Sequence, residues 1–110
     1  MAFSDEVVQQ VWERARASAD QDAAVWRQDQ CGAWMRREHY GRDNSEFGWK
    51  VESTTAGGPE TTGNLGAFNM ANSFDRAQGR ARCRMVSDRA DQHPWEHASG
   101  PRNRGVNDDA

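Results

Sequence analysis

Lysine is almost missing from this chain of 110 residues: Lys50 stands alone beside thirteen arginines. Histidine is limited to His39, His93 and His97, and cysteine to Cys31 and Cys83. The cysteines form no CxxC pair, which argues against a zinc finger or ribbon. Free cysteine behaves as a small hydrophobe, so both are expected as plain buried or half-buried thiols. A disulfide between them would call for an oxidising compartment. No apolar run approaches the length of a membrane span. The opening MAFSDEVV lacks a basic region followed by a hydrophobic stretch, so it does not read as a signal peptide. These absences point to a cytoplasmic chain with no membrane partner.

Apolar content is low as well. Hydrophobic residues make up 35% of the chain, and the mean hydropathy is −1.05. The length suits one small domain with a thin core. Five tryptophans and four phenylalanines compensate, since each aromatic ring buries a large area. The net charge of −3 does not advertise nucleic-acid binding. Its distribution says more: Arg76, Arg80, Arg82, Arg84 and Arg89 face only Asp88 between positions 76 and 89. Arginine forks suit phosphate, and a solvated face would carry the same charges.

Ser4 followed by Asp5 and Glu6 reads as a capped helix start. Val7, Val8, Val11, Trp12 and Ala15 recur at helical spacing, which predicts a helix over about 5–17. Residues 19–30 are mostly polar and read as a linker anchored by Trp26. Cys31–Arg36 and Trp49–Ser53 read as two antiparallel strands joined by the turn-rich HYGRDNSEFG. Trp34, Tyr40, Phe47, Trp49 and Val51 would supply an aromatic cluster. TTAGGPETTG is a loop by composition and NLGAF a short extended piece. NMANSFDRAQG reads as a helix with Asn69 near its start and Gly79 as its stop. Residues 80–86 read as one more extended segment, and from Ser87 onward the polar chain, with Pro94, Gly100, Pro101 and Gly105, reads as a mostly disordered tail.

WRQDQCGAWMRREHYGRDNSEFGWKVE, a GG loop, and NLGAFNMANSFDRAQG together resemble a bacterial subfamily of HNH endonucleases. Members run as a tryptophan, a CGAW-like strand, a YGN-type turn, SxxGWEIDHI, a GG loop, SNL, then a histidine and paired asparagines opening a last helix. The likeness extends from about Val7 to Met85. It implies an α+β fold: a ββα-metal core, made of a β-hairpin and a helix around one divalent cation, with an added N-terminal helix. Residues 1–18 would form that helix, 19–86 a degenerate HNH-like domain and 87–110 the tail.

The resemblance also implies a chemistry. A metal-binding aspartate and a general-base histidine end one strand, a loop asparagine orients the histidine, and a histidine or asparagine on the last helix completes the metal site. Histidine suits a base because its pKa lies near neutrality. Here the Asp-His pair falls on Glu52 and Ser53, the loop asparagine on Asn64 and the helix ligand on Asn69, with Asn72 one turn later. Glu52 and Asn69 keep oxygens for magnesium or manganese. Ser53 is a poor base, and no neighbour in sequence activates it. His39 lies in the hairpin loop. His93 and His97 have HxxxH spacing, but Pro94 disfavours helix there. All three histidines read as exposed side chains without a ligand role. Apart from the resemblance, Glu52 reads as a solvent-facing strand residue, Asn64 as a turn residue and Asn69 as a helix cap.

The expectation is therefore a catalytically inactive domain of nuclease fold, with no catalytic residue and no cofactor. It would bind DNA through Arg76, Arg80, Arg82 and Arg84, or a protein, as an inhibitor or decoy of a nuclease system. The alternative is an active metal-dependent endonuclease with Glu52 and Asn69 as altered ligands.

Overall fold

A computed structural model describes residues 3–55, 62–88 and 101–106. With one leucine and no isoleucine in the chain, the core is built from rings and valines. Helix α1 spans Asp5–Arg14, and the Ser4 hydroxyl accepts from the Val7 N–H at 3.2 Å. Its buried stripe of Val8, Val11 and Trp12 packs against Met35, Trp49, Leu65 and Ala67. The Trp12 and Trp49 rings lie 5.1 Å apart, and Tyr40 meets Trp49 edge-on at 4.9 Å. The helix stops short of the expected Ala17 because the chain turns extended at Ala15. Arg16 then exchanges two backbone hydrogen bonds with Gln28. Arg27 secures the end, donating to the carbonyls of Glu13, Ala15 and Ala23.

The expected linker contains strand β1, Trp26–Gln28. It pairs antiparallel with β2, Trp34–Arg36, around a turn in which Gly32 takes φ +86°. Strand β3, Trp49–Ser53, does not pair with β2 as expected. Its partner is β4, Leu65–Asn69, in the register Trp49↔Asn69 to Ser53↔Leu65. Tyr40 and Trp49 join the core, whereas Phe47 and Trp34 flank Trp26 at 4.8 and 6.2 Å.

The helix expected over NMANSFDRAQG is not formed. After a turn at Met70–Asn72, strand β5, Ser73–Asp75, folds back against β6, Arg80–Arg82. Asparagine chemistry explains the difference. Asn69 Oδ1 accepts from the Ala71 N–H, and Asn72 Oδ1 accepts from the N–H groups of Arg84 and Met85. Such bonds to the backbone compete with a helix ladder. Gly79, at φ +69°, closes the hairpin turn rather than a helix. The α+β class holds, but the strand–strand–helix order of an HNH core is replaced by two successive hairpins.

Strand β7, Met85–Ser87, pairs with β8, Asn103–Gly105. The expectation of a disordered tail therefore fails for 101–106. Asn103 anchors this segment by bonding both the N–H and the carbonyl of Trp34, at 2.7 and 3.0 Å. His93, Trp95 and His97 lie outside the described residues, as does the GG loop. Cys31 and Cys83 are not free thiols. They form a disulfide, with Cα atoms 5.5 Å apart, that ties the β1–β2 turn to the end of β6. The turn at Gly32 and the Asn72 contacts bring the two sulfurs together despite their separation in sequence. No helix among the described residues is long and apolar enough to cross a membrane.

Candidate functional site

The β3–β4 hairpin carries the positions where the family resemblance implied a metal site. Glu52 does not face solvent freely. Its Oε1 accepts from the Phe74 N–H at 2.8 Å, and its Oε2 pairs with Lys50 Nζ at 2.9 Å. The carboxylate thereby clips β5 to β3. Ser53 Oγ donates to the Thr55 carbonyl at 3.1 Å. Asn64 sits at the same end, with Thr54 donating to its carbonyl and Thr55 Oγ1 to its Oδ1.

Asn69 lies at the opposite end of the hairpin. It is opposite Trp49 while Glu52 is opposite Gly66, a separation of about 10 Å along the strand. Its side chain points inward and is 1% exposed. Nδ2 donates to the carbonyls of Trp34 and Glu46. The structure therefore brings Glu52, Ser53 and Arg76 around one cavity of about 310 Å³ and leaves Asn69 out of it. This donor set does not fit a divalent cation: its carboxylate is already bonded and its second ligand is turned into the core. Among the described residues, no group of three or more His, Cys, Asp or Glu side chains could hold a metal ion.

His39 is not among the residues that line this cavity. It ends a 3-10 turn, Arg37–His39, and its Nδ1 lies 2.6 Å from Ser45 Oγ. Burial, then the charges of Arg42 and Arg36, hold its pKa below the ordinary value.

The polar centre of the molecule is elsewhere. Asp29, 2% exposed, accepts four N–H donors: Cys31 and Ala33 on Oδ1, Asn69 and Asn72 Nδ2 on Oδ2. Burial pushes its carboxyl above the ordinary value, opposed by the bonds from Asn72, Asn69, Ala33 and Cys31. With every donor aimed at it and both oxygens filled, Asp29 is a joint between β1, β4 and β7. The DQCG run carries a turn signal that could have found it, an aspartate three residues before a left-handed glycine.

Of the arginines expected to meet nucleic acid, Arg80, Arg82 and Arg84 come together along β6 and just after it, whereas Arg76 lines the cavity at Glu52 and Ser53. Arg76, Arg80, Arg82 and Arg84 are all exposed. Arg80 and Arg82 share one face of β6, since side chains alternate along a strand. A groove of about 430 Å³ runs beside them, lined by Asp75, Gln78 and Arg80 through Arg84. Asp75 is the acid in that lining, and it pairs with Arg82 at 3.3 Å while accepting from the Gln78 N–H. Three guanidinium groups thus face one carboxylate that is already engaged. No protein-family profile, no curated protein and no solved structure matches this chain.

Proposed function

We propose that the protein is a non-catalytic binding module whose β5–β6 face takes the phosphate backbone of nucleic acid. The observation that carries this reading is the arginine groove at Arg80, Arg82 and Arg84, exposed and net positive on a chain that is acidic overall. Guanidinium forks match phosphate oxygens in pairs. Among the described residues no aromatic ring lines the groove, so the contact reads charge and spacing rather than base identity. The engagement of Glu52 and the burial of Asn69 support a binding role over metal-dependent cleavage. A role as a decoy or inhibitor of a nuclease system would follow from holding the same substrate without cutting it. The Cys31–Cys83 cross-link favours an oxidising setting over the cytoplasm expected from the sequence.

The test is duplex-DNA binding by fluorescence anisotropy across a salt series. Each phosphate contact adds about 0.9 to the slope of log affinity against log salt. The variant R80A/R82A/R84A is expected to flatten that slope by about 2 to 3 and to weaken binding uniformly across sequences. Binding that ignores the triple substitution sinks the proposal. Plasmid nicking with magnesium or manganese that is lost in Glu52→Ala would instead make the protein an enzyme.

A further inference from the structure

The Cys31–Cys83 cross-link ends at the arginine groove. Cys83 lines that groove between Arg82 and Arg84. Both cysteines are half-buried, so the bond is not sealed in the core. The β5–β6 hairpin is pinned at two points by hydrogen bonds to other elements. The Phe74 N–H is held by Glu52, and the Arg84 N–H by Asn72 Oδ1. Among the described residues, the hydrogen bonds and ion pairs of 75–83 all stay within the hairpin. They are its ladder, the Gly79 and Gln78 N–H groups on Asp75, and the Arg82–Asp75 pair. A two-stranded ribbon of this size is marginal on its own.

The disulfide is the tie that fastens the β6 end of this ribbon to the β1–β2 turn. The chain beyond it has other ties. Asn72 holds the N–H groups of Arg84 and Met85, Asp29 holds Asn72, and the Ser87 N–H reaches the Gly32 carbonyl. Breaking the S–S bond therefore frees the arginine-bearing strand while the centre of the fold keeps its hydrogen bonds.

We propose that the Cys31–Cys83 disulfide is a redox latch on the arginine groove, closed in the oxidised protein and opened by a small anionic thiol. The proposal rests on the phosphate-binding reading of β5–β6 and adds its regulation. The thiolate attacks Cys83 Sγ and forms a mixed disulfide. The Cys31–Cys83 bond breaks, and Cys31 leaves as a thiolate that takes a proton from water. A second thiolate attacks the sulfur of the first. Cys83 leaves as a thiolate and is protonated in turn, and the two small thiols depart as their own disulfide, having supplied both electrons. Arg80 and Arg84 are exposed and make no ion pair among the described residues, so they draw an anionic thiol toward Cys83. With the latch open, the arginine row is ordered for only part of the time. Its apparent affinity for phosphate falls by that fraction.

The experiment uses the full chain, oxidised and reduced, at a temperature below the melt of the reduced protein. Amide hydrogen exchange reads the latch without any ligand. Reduction should speed exchange across 75–83 and leave β3 and β4 protected. Duplex-DNA anisotropy reads the consequence: reduction should weaken binding about tenfold, and reoxidation should restore it. Cys31→Ser/Cys83→Ser should behave as the reduced protein in both measurements, and the reduced native protein gives the same comparison without a substitution. Mercaptoethanesulfonate, which is anionic, should open the bond about tenfold faster per thiolate than neutral mercaptoethanol at low salt. R80A/R84A should erase that preference. Exchange in 75–83 that ignores reduction, or that rises equally in β3 and β4, overturns the latch. Equal rates for the two thiols overturn its anionic trigger. DNA binding that is lost in R80A/R82A/R84A yet indifferent to reduction overturns the regulation alone. Oxidised protein that binds no DNA overturns the phosphate-binding reading and this regulation with it.

Discussion

Asn69 and Asn103 donate to the same two carbonyls. The Trp34 oxygen receives them at 3.1 and 3.0 Å, and the Glu46 oxygen at 2.9 Å from each. One asparagine ends β4 and the other begins β8, so this shared pair of acceptors sews the returning chain onto the centre of the fold. Removing either side chain leaves each carbonyl with one donor. Asn69→Ala and Asn103→Ala should therefore each cost about 1 to 2 kcal/mol. Removing both strands two carbonyls and should cost more than the two single losses added together. Urea denaturation of the four proteins checks this. Additive losses would mean that the carbonyls find water in the double variant.

Asp29 links the same region to pH. Burial raises its folded-state pKa above the ordinary 3.8, so the folded protein holds this proton more tightly than the unfolded chain. Its contribution favours folding fully below the unfolded value. That contribution declines as pH rises through the window between 3.8 and the raised folded value, then stays constant. Asp29→Asn does not titrate, and its amide turns an N–H₂ toward N–H donors, so it should be less stable at every pH. The gap between native and variant proteins should narrow as pH rises through that window. Thermal melts of both from acid to neutral pH measure it, and a gap that widens would reverse the assigned direction.

The disulfide closes a loop across 52 positions of sequence. On chain-entropy grounds, its loss should cost about 4 kcal/mol. For a small domain with a thin core, that is a large share of the total stability. Cys31→Ser/Cys83→Ser is expected to melt well below the oxidised protein and to match the native protein under reductant. A native melt unchanged by reductant, with both thiols shown to be alkylated, would contradict this.

Local signals were legible where side chains act on their own segment. Ser4 and the Val8, Val11, Trp12 stripe mark α1, and the alternation from Trp49 marks β3. Leu65 and Phe68 mark an extended piece that proves to be β4. Illegible were the features that depend on distant partners. β1 hides in a polar stretch because it is held by Arg16 and β2 rather than by an apolar face. Asn69 and Asn72 sit where a helix would start, and only Asp29, Arg84 and Met85 turn them into a corner. Glu52 reads equally as a ligand or as a surface residue until the Phe74 N–H is placed against it. The nuclease resemblance rests on order along the chain, and order does not reveal which polar groups the fold has already engaged.

Gly48 separates a steric requirement from a conformational one. Its φ is not among the left-handed values taken by Gly32, Gly41 and Gly79, so an alanine could adopt its torsions. Space forbids it: a Cβ there would lie 1.6 Å from the Arg42 carbonyl oxygen and 2.8 Å from the carbonyl carbon. Both are main-chain atoms that cannot rotate away. Gly48 also receives the Met70 N–H on its carbonyl and donates to Ser45, fixing the loop against the end of β4. Gly48→Ala must push the 42–47 loop outward and disturb the Glu46 carbonyl on which Asn69 and Asn103 converge. We expect a loss of roughly 3 kcal/mol or more. Gly32→Ala has open space and only its positive φ against it, so it should cost about 1 to 2 kcal/mol. Chemical denaturation of the two variants side by side decides the matter: equal losses would mean that the 42–47 loop yields freely and is not held by its contacts with β4.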